Sequence, residues 1–344
     1  MRNRDKILLG ALAGAGVLWG ARAWRRSRRR IDLADRVVII TGASSGHGFL
    51  VARQAAERGA HLVLAARNLD ALKSAEAELL RIGAASVTAV ATDVTDPGQV
   101  QVLVERAIER HGRIDILINN AGIISVGPVE TMTLDDFRAA MATNFWGALY
   151  ATMAVLPHMR ARQFGRIANV SSLGGKAAMP HLLPYTASKF ALTGLTEGLR
   201  PELARDNIYV TGVYPSTMRT GGHTHAWFKG NREGEYTWFA LSDTLPVVSA
   251  SADYVARRLW SAVRDGEAEV VVGWPAHLAV VVQNLFPNET AEMMALVNRL
   301  LPRPSDDQDT HAVQGEKLAG TVPDLLSRMV PSSARPGWGN GRTQ

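Results

Sequence analysis

The most constraining feature of this 344-residue chain is a short apolar run that ends in a glycine-rich turn. Residues 37–40 are apolar and β-branched, which is typical of a buried parallel strand. A helical pattern over residues 49–58 follows the turn. The turn itself reads Thr41-Gly42-Ala43-Ser44-Ser45-Gly46-His47-Gly48. A strand, a glycine turn and a helix in this order predict the first unit of a dinucleotide-binding fold.

Each glycine of the turn has a separate purpose in such a fold. Gly42 permits the tight turn, Gly46 lets the backbone approach a pyrophosphate, and Gly48 lets the helix pack close to the strand. The free N–H groups and the positive dipole end of the helix favour phosphate binding. The spacing is G-x-x-x-G-x-G, which differs from the G-x-G-x-x-G of two-domain dehydrogenases.

The end of the second predicted strand, His61–Ala66, indicates which dinucleotide binds. An acidic residue there would hold the ribose 2′-hydroxyl of NAD, but the chain has Ala66 and Arg67. A guanidinium suits a 2′-phosphate, so we expect NADP(H) to be preferred over NAD. Further hydrogen bonds to this phosphate are expected from Ser44, Ser45 and Asn68.

Two later strand ends complete the expected cofactor site. Asp93 and Val94 follow the predicted strand Ser86–Ala91, where they are placed to meet the adenine ring. A strand predicted over residues 114–118 ends in small residues that leave room for a cofactor. These residues are Asn119, Asn120, Ala121 and Gly122. Either group of residues could instead form ordinary turns.

An acid–base device is indicated by Tyr185 and Lys189, which share one face of a helix because they are four residues apart. An ammonium beside a phenol favours the phenolate and lowers the phenol pKa. Such a tyrosine exchanges a proton with an alcohol or carbonyl oxygen, which Ser172 would also hold. A Tyr-x-x-x-Lys pattern alone is common on solvated helix faces, so its meaning depends on the other motifs.

Together these motifs resemble the short-chain dehydrogenase/reductase family. The resemblance also uses Asn144 and Asn169-Val170-Ser171-Ser172, and it covers residues 35–273. The segments around Ser172 and Tyr185 are similar to the branch that contains 11β-hydroxysteroid dehydrogenase type 1 and membrane-anchored relatives.

The resemblance implies a role for each matched residue. Tyr185 would donate or accept the proton, Lys189 would bind the nicotinamide ribose, and Ser172 would position the substrate oxygen. Asn144 would hold a water that links Lys189 to solvent. Pro215 and Thr220 would belong to the loop that meets the nicotinamide carboxamide.

The chain departs from the family pattern at two positions. His47 replaces an aliphatic residue inside the glycine motif, and we assign it no chemistry from the sequence. Ser216 replaces a glycine, which raises the question of whether the loop after the sixth strand keeps its geometry.

The alternation of strands and helices predicts one α/β, doubly wound Rossmann-type domain with a parallel sheet. We divide the chain into an anchor with a basic flank (1–30), a catalytic domain (31–273), an apolar helical extension (274–302) and a mostly disordered tail (303–344). Cysteine is absent and no histidine or acidic cluster demands an ion, so we expect no metal site.

The positive charge of the chain lies almost entirely at its start. Residues 1–30 hold nine basic residues and one acidic residue, whereas the remainder holds 29 basic and 31 acidic residues. Because acidic residues slightly outnumber basic ones outside residues 1–30, the charge argues against nucleic-acid binding by the catalytic domain. Residues 7–21 are uncharged and precede a block of arginines, which predicts a membrane anchor with the catalytic domain facing the cytoplasm, where NADPH is supplied. A monotopic amphipathic segment, a disordered leader and a cleaved signal are the alternatives.

These features predict an oxidoreductase that interconverts a carbonyl and an alcohol on a small molecule. Aromatic residues in the segment 216–248 suggest a lipophilic substrate, although such residues also serve to pack a loop. The alternatives are a catalytically idle, NADP-binding scaffold and an epimerase or dehydratase on the same fold. A homo-oligomer is compatible with the resemblance, since family members often form dimers or tetramers.

Overall fold

The computed structural model describes residues 16–321, apart from residue 18 and the segments 246–248 and 304–309. Its centre is a sheet of seven parallel strands, which confirms the predicted fold class. The strands are β1 (Val37–Thr41), β2 (His61–Ala66), β3 (Ser86–Ala91), β4 (Ile116–Asn119), β6 (Gly165–Val170), β7 (Ile208–Pro215) and β11 (Glu269–Val272). Their order in the sheet is β11-β7-β6-β4-β1-β2-β3.

Helices cover both faces of this sheet. They are α1 (residues 19–29), α2 (Gly46–Ala56), α3 (Leu69–Arg81), α4 (Pro97–His111), α5 (Leu134–Met141), α6 (Gly147–Ala161), α7 (Leu183–Leu203), α8 (Gly222–His225), α9 (Arg232–Thr244), α10 (Ala252–Asp265), α11 (Trp274–Leu285) and α12 (Pro287–Leu300). Buried side chains of α2, α3 and α10 form the core on one face, and those of α4, α6 and α7 form the core on the other.

The strand order places the predicted site at a switch in chain direction. From β1 the chain proceeds outward to β2 and β3, and it then returns to the other side of β1 as β4. Ligands bind at the carboxyl ends of strands that flank such a switch. The glycine turn after β1 and the Asn119–Gly122 segment after β4 therefore lie side by side.

Two predicted boundaries differ from the structure. Helix α2 begins at Gly46, inside the glycine motif, rather than at residue 49. Strand β4 covers Ile116–Asn119 rather than residues 114–118. Ile114 and Asp115 are buried but precede the strand, and the Asp115 carboxylate accepts a hydrogen bond from the amide of Val37.

Helix α1 packs at the amino-terminal ends of β11 and β7. The Arg26 guanidinium lies 2.7 Å from Asp265 and 3.0 Å from Glu267, both of which precede β11. The Arg29 guanidinium covers the Tyr209 ring at 4.5 Å. Part of the basic block therefore binds the catalytic domain itself.

The predicted anchor lies mostly outside the described residues, which begin at residue 16. Within the described part, one continuous helical stretch, Leu134–Ala161, is long and apolar enough to span a membrane by length and composition. This stretch contains α5 and α6 and contacts α4 and α7 inside the catalytic domain. It is a core element of the fold.

Two small sheets lie above the carboxyl edge of the main sheet. Strands β8 (Met218–Arg219) and β10 (Ala250–Ser251) form one pair, and β5 (Ser125–Val126), β9 (Trp227–Phe228) and β12 (Val313–Gln314) form the other sheet. The predicted disordered tail does not anticipate β12 or the 3-10 helix Gly315–Thr321 that follows it. The predicted short helix at residues 322–329 lies outside the described residues.

Candidate active site

The glycine turn after β1 is built for close approach of a ligand to the backbone. Gly42 and Gly46 have φ angles of +65° and +55°, in the left-handed region that favours glycine. A Cβ on Gly48 would lie 2.1 Å from the carbonyl oxygen of Gly42, whereas one on Gly46 would meet nothing within 4 Å. Gly48 thus permits close packing, and the space beside Gly46 is open to a phosphate.

Hydrogen bonds hold this turn against the end of β4. The Asn120 side-chain amide donates to the carbonyl oxygens of Thr41 and Gly42, at 3.1 Å in each case. The amides of Asn120 and Ala121 donate to the Thr41 hydroxyl at 3.0 and 3.1 Å. The two predicted cofactor segments therefore form one rigid cradle.

His47 belongs to this cradle, although the sequence analysis gave it no role. Its Nδ1 lies 2.8 Å from Asn120 Oδ1. Because the Asn120 amide nitrogen donates elsewhere, Oδ1 is the acceptor and His47 Nδ1 carries the proton. Burial lowers the His47 pKa, and its Nε2 is buried without a hydrogen-bond partner among the described residues. The fit of this cradle to a dinucleotide diphosphate rests on the open space beside Gly46. The unprotonated Nε2 of His47 is an acceptor and offers no donor to a phosphate.

The predicted phosphate contacts lie at the carboxyl end of β2 and in the glycine turn. Arg67 is exposed and forms no hydrogen bond or ion pair with any residue that the structure describes. Ser45 precedes α2, and its hydroxyl does not cap that helix. Asn68 accepts a hydrogen bond from the Ala71 amide, so its carbonyl oxygen caps α3. Arg67, Ser44, Ser45 and the Asn68 amide nitrogen remain the candidates for a 2′-phosphate.

The segment after β3 makes the contacts of an ordinary turn, which was the alternative to an adenine-binding role. Asp93 Oδ1 accepts hydrogen bonds from the amide and the hydroxyl of Thr95 at 3.0 and 2.8 Å. Val94 is buried, and a Cβ on Gly147 would lie 2.8 Å from its Cγ2. Both side chains therefore have structural contacts, and the adenine contact remains a prediction.

The acid–base residues converge at the start of α7. A Cβ on Gly174 would lie 3.3 Å from Tyr185 Cε1 and 3.6 Å from Ser172 Oγ, so phenol and hydroxyl share one small space. The Lys189 ammonium lies 5.6 Å from the Tyr185 ring centroid. It donates to the Val170 carbonyl at 2.9 Å, which fixes it at the end of β6.

Asn144 connects this group to the cofactor cradle. It lies in a π-helical segment, Ala142–Trp146, that joins α5 to α6. Its amide nitrogen donates to Ile123 O and Ser188 Oγ, and its Oδ1 accepts from Ile123 N. A Cβ on Gly122 would lie 3.0 Å from Asn144 Oδ1 and 3.5 Å from Lys189 Nζ. The extra residue of a π turn rotates the asparagine toward this junction.

Burial changes the pKa values of both ionisable residues. It raises the pKa of Tyr185 to about 12, and a hydrogen bond with Ser172 opposes this increase only in part. It lowers the pKa of Lys189 to about 8. The sequence argument expected Lys189 to lower the Tyr185 pKa, but in the structure desolvation is the larger effect.

The loop after β7 keeps a regular backbone despite the serine at position 216. Pro215 ends β7, and the Ser216 amide donates to Val272 O at 3.1 Å. Ser216 is not among the residues with positive φ, so the position needs no glycine. Thr220 Oγ1 accepts from the Gly222 amide at 3.2 Å at the start of α8.

We call residues 216–245, which include α8 and α9, the lid. Its aromatic side chains Phe228, Tyr236 and Phe239 are buried against one another, with ring centroids 5.2–5.9 Å apart. These three rings pack the lid down, whereas Trp227 is 39% exposed, so a lipophilic substrate remains a prediction. Two buried histidine–carboxylate pairs, which the sequence analysis missed, hold α9 in place. They are His181–Glu235 at 2.7 Å and His223–Asp243 at 3.0 Å.

No cluster of three or more His, Cys, Asp or Glu side chains placed to hold a metal occurs within the described ranges. The site is therefore built from a backbone cradle, one exposed arginine and a tyrosine–lysine–serine–asparagine group.

Comparison with known proteins agrees with this construction. The family profile described as short chain dehydrogenase matches residues 36–229. Dehydrogenase/reductase SDR family member 7B of Bos taurus is 32% identical, with 84% of this chain and 88% of that protein aligned. The 3-ketodihydrosphingosine reductase of Bos taurus is 36% identical over 57% of this chain and 60% of its own. A short-chain dehydrogenase from Streptomyces avermitilis, known from a crystal structure, has a TM-score of 0.67 and 28% identity, covering 78% of this chain and 99% of its own. The chain has a glycine turn at the switch of a parallel sheet, and the family profile matches more than half of its length. This chain therefore belongs to the short-chain dehydrogenase family of oxidoreductases.

Proposed function

We propose that the protein is an NADP(H)-dependent oxidoreductase that interconverts a carbonyl and an alcohol, with Tyr185 as the acid–base residue. The observation that carries this proposal is the convergence of Tyr185, Ser172 and Lys189 next to Gly122, at the end of the cofactor cradle.

Each side chain has one task in this proposal. The glycine turn and Arg67 would hold the dinucleotide, whose nicotinamide would supply or accept the hydride. The Tyr185 hydroxyl donates its proton to the substrate oxygen during reduction, and Ser172 holds that oxygen by a hydrogen bond. The Lys189 ammonium stabilises the phenolate that remains, because opposite charges attract strongly in a buried site. Asn144 fixes the backbone at Ile123 and thus the wall beside Lys189.

Replacement of Tyr185 by phenylalanine tests the proposal. The variant keeps the ring but lacks the proton, so we expect kcat for an accepted ketone to fall by about 10²–10⁴-fold. NADPH binding, measured by the fluorescence of the reduced nicotinamide, is expected to stay within about twofold because the cradle is unchanged. Unchanged turnover in this variant would remove Tyr185 from the mechanism.

The two alternative functions give different results in one assay. NADPH consumption in a one-to-one ratio with alcohol formation supports the oxidoreductase. An epimerase or dehydratase would convert substrate without net consumption of NADPH, and an idle scaffold would bind NADPH and consume none. The relative named 3-ketodihydrosphingosine reductase favours a ketone on a lipophilic molecule as the first substrate to test.

The preference for NADP(H) is supported by Arg67, which is exposed and unpaired within the described part of the chain. A 2′-phosphate beside β2 would pair with this guanidinium, and no acidic side chain stands in its place.

The proposal includes attachment to a membrane through residues 1–30, with the catalytic domain in the cytoplasm. It is supported by the uncharged run at residues 7–21 and the arginines that follow. Carbonate extraction of the full chain and of a chain lacking residues 1–18 tests the attachment while retaining α1. The division at residues 30, 273 and 302 and the formation of a homo-oligomer also remain predictions.

A further inference from the structure

Helix α1 has two faces, and its arginines divide between them. Arg22, Arg26 and Arg29 recur at intervals of four and three residues, so they share one face of the helix. The Arg22 and Arg26 guanidinium groups lie 3.3 and 3.0 Å from Glu267. That of Arg29 covers the Tyr209 ring at 4.5 Å. This face of α1 is therefore occupied by the catalytic domain.

The outward face of α1 is basic and aromatic. Arg25 and Arg28 are exposed, and neither forms an ion pair or a side-chain hydrogen bond with any described residue. The Arg28 guanidinium lies 5.2 Å from the Trp24 ring centroid, within the helix itself. Trp19 and Trp24 are 76% and 61% exposed, although tryptophan is usually well buried. This face is therefore a surface that the packing of the fold does not use.

A second group of arginines lies at the amino-terminal ends of the strands, as α1 does. Arg36, Arg113 and Arg162 share the carboxylate of Asp115, which is fully buried just before β4. The three arginine side chains are 29–35% exposed. Three guanidinium groups around one carboxylate leave an excess of positive charge at this end of the sheet.

The two groups of arginines are connected through Phe164. Its ring is covered by the guanidinium groups of Arg36 at 4.7 Å and of Arg166 at 5.2 Å. Arg166 in turn donates a hydrogen bond to the carbonyl oxygen of Arg29 in α1, at 2.7 Å. We call the outward face of α1 together with the three arginines around Asp115 the basal surface.

An anionic lipid membrane fits the basal surface better than a nucleic acid does. The uncharged run at residues 7–21 leads directly into α1. Trp19 and Trp24 are of the residue type that collects at membrane–water interfaces. Arginines that follow such a run are attracted by anionic headgroups within a Debye length of the bilayer. The phosphate backbone of a nucleic acid would use the arginines but not the apolar run.

We propose that the basal surface binds the anionic headgroups of a lipid membrane, with Arg25 and Arg28 at its centre and with Trp19 and Trp24 at the depth of the headgroups. This inference rests on the proposed attachment through residues 1–30, since it names the lipid class that this segment contacts. It does not depend on the reaction at Tyr185.

Partition of the full chain between neutral and anionic vesicles tests the inference. Flotation compares vesicles of phosphatidylcholine with vesicles that also contain phosphatidylserine, in roughly 0.1 M NaCl. We expect the wild type to partition at least about tenfold better into the anionic vesicles, since each arginine near such a surface contributes roughly fivefold. Raising the NaCl concentration to about 0.5 M is expected to remove most of this preference, because the Debye length becomes shorter.

Two double variants with equal loss of charge locate the effect. Arg25→Gln with Arg28→Gln is expected to lower the ratio of the two partition coefficients by at least about tenfold. The matched control, Arg138→Gln with Arg299→Gln, removes the same charge from exposed positions on α5 and α12. It is expected to lower the ratio by less than about twofold, because charges beyond a Debye length are screened. Arg162→Gln, in the second group of the basal surface, is expected to lower it by about threefold.

Equal partition of the wild type into both kinds of vesicle would overturn the inference, as would equal losses in the two double variants. A DNA duplex that bound as tightly as anionic vesicles, with the same dependence on Arg25 and Arg28, would also overturn it. The surface would then recognise phosphate on any polymer.

Failure of the proposed attachment gives a different pattern. In that case the chain does not float with neutral vesicles and is released from membranes by carbonate, while its binding to anionic vesicles still depends on Arg25 and Arg28. Retention on both kinds of vesicle without a preference would reject the inference and keep the attachment.

Discussion

The cofactor half and the substrate half of the site are held together by different means. In the cofactor half, the glycine turn and the end of β4 are joined by hydrogen bonds among Thr41, Gly42 and Asn120, within two short motifs. In the substrate half, α9 is held by pairs of buried side chains. They are His181 with Glu235 and His223 with Asp243.

This difference shows how one cofactor site can serve many substrates. The cradle depends on backbone geometry, which tolerates few substitutions. The lid depends on side-chain pairs, which can be exchanged without disturbing β1 or β4. Changes to the substrate half should therefore leave cofactor binding intact, and changes to the cofactor half should leave substrate affinity intact.

The largest expected effect is that of Glu235→Ala, which removes contacts from the substrate half alone. Glu235 is fully buried and lies against His181 Nδ1 and the indole nitrogen of Trp238, at 2.7 and 2.6 Å. Its loss leaves two buried donors unpaired, at about 1–3 kcal/mol each. We expect the free energy of unfolding, measured in urea, to fall by about 2–6 kcal/mol.

The comparison is sharpened by measuring NADPH affinity in the same variant. We expect it to change by less than about twofold, because local opening of the lid leaves the cradle folded. Glu233→Ala removes the same charge from an exposed position on α9 and serves as the control. A large loss of NADPH affinity in Glu235→Ala would show that the halves are not independent.

A middle-sized effect is expected where the two halves meet, at Lys189. Burial lowers its pKa to about 8, so the ammonium is charged below this pH and neutral above it. Reduction uses the charged form, and kcat should therefore fall by about tenfold per pH unit above pH 8. The measurement is a pH profile of kcat at saturating NADPH.

Lys189→Arg provides the control for this profile, because a guanidinium stays charged at every accessible pH. Its residual activity is expected to lack the alkaline decrease. A wild-type profile that remained flat up to about pH 10, the usual range of a lysine pKa, would contradict the assignment.

The smallest effect is expected from Arg67→Asp, which alters the cofactor half at its surface. An exposed ion pair contributes up to about 1 kcal/mol, so the KM for NADPH should rise by roughly fivefold. The KM for NADH should not rise, and the KM for the carbonyl should not change. Arg81→Asp, at the far end of α3, is the matched control. Equal changes in the KM values for NADPH and NADH would show that another group binds the 2′-phosphate.

The sequence was sufficient for the parts of the molecule that local rules determine. A β-branched run before Gly42, Gly46 and Gly48 allows only a strand, a turn and a helix, and the structure has them in that order. The four-residue spacing of Tyr185 and Lys189 likewise places both on one helix, α7.

Contacts between residues distant in the sequence could not be predicted from such local rules. Nothing near Glu235 in the sequence indicates that its partner is His181, because that pairing depends on how α9 packs against the loop before α7. Strand β12 was missed for a similar reason, since two residues acquire strand structure only by pairing with β9. The lid aromatics could be interpreted in two ways until their burial was known.

The position of α1 sets the direction from which the enzyme can be approached. Its arginines contact Asp265, Glu267 and Tyr209 at the amino-terminal ends of the strands, whereas reactants enter at the carboxyl ends. Strand β7 has eight residues and thus separates the two ends by roughly 25 Å. A bead, a surface or a fused reporter joined ahead of α1 would meet the rear of the molecule, and the entrance would stay unobstructed.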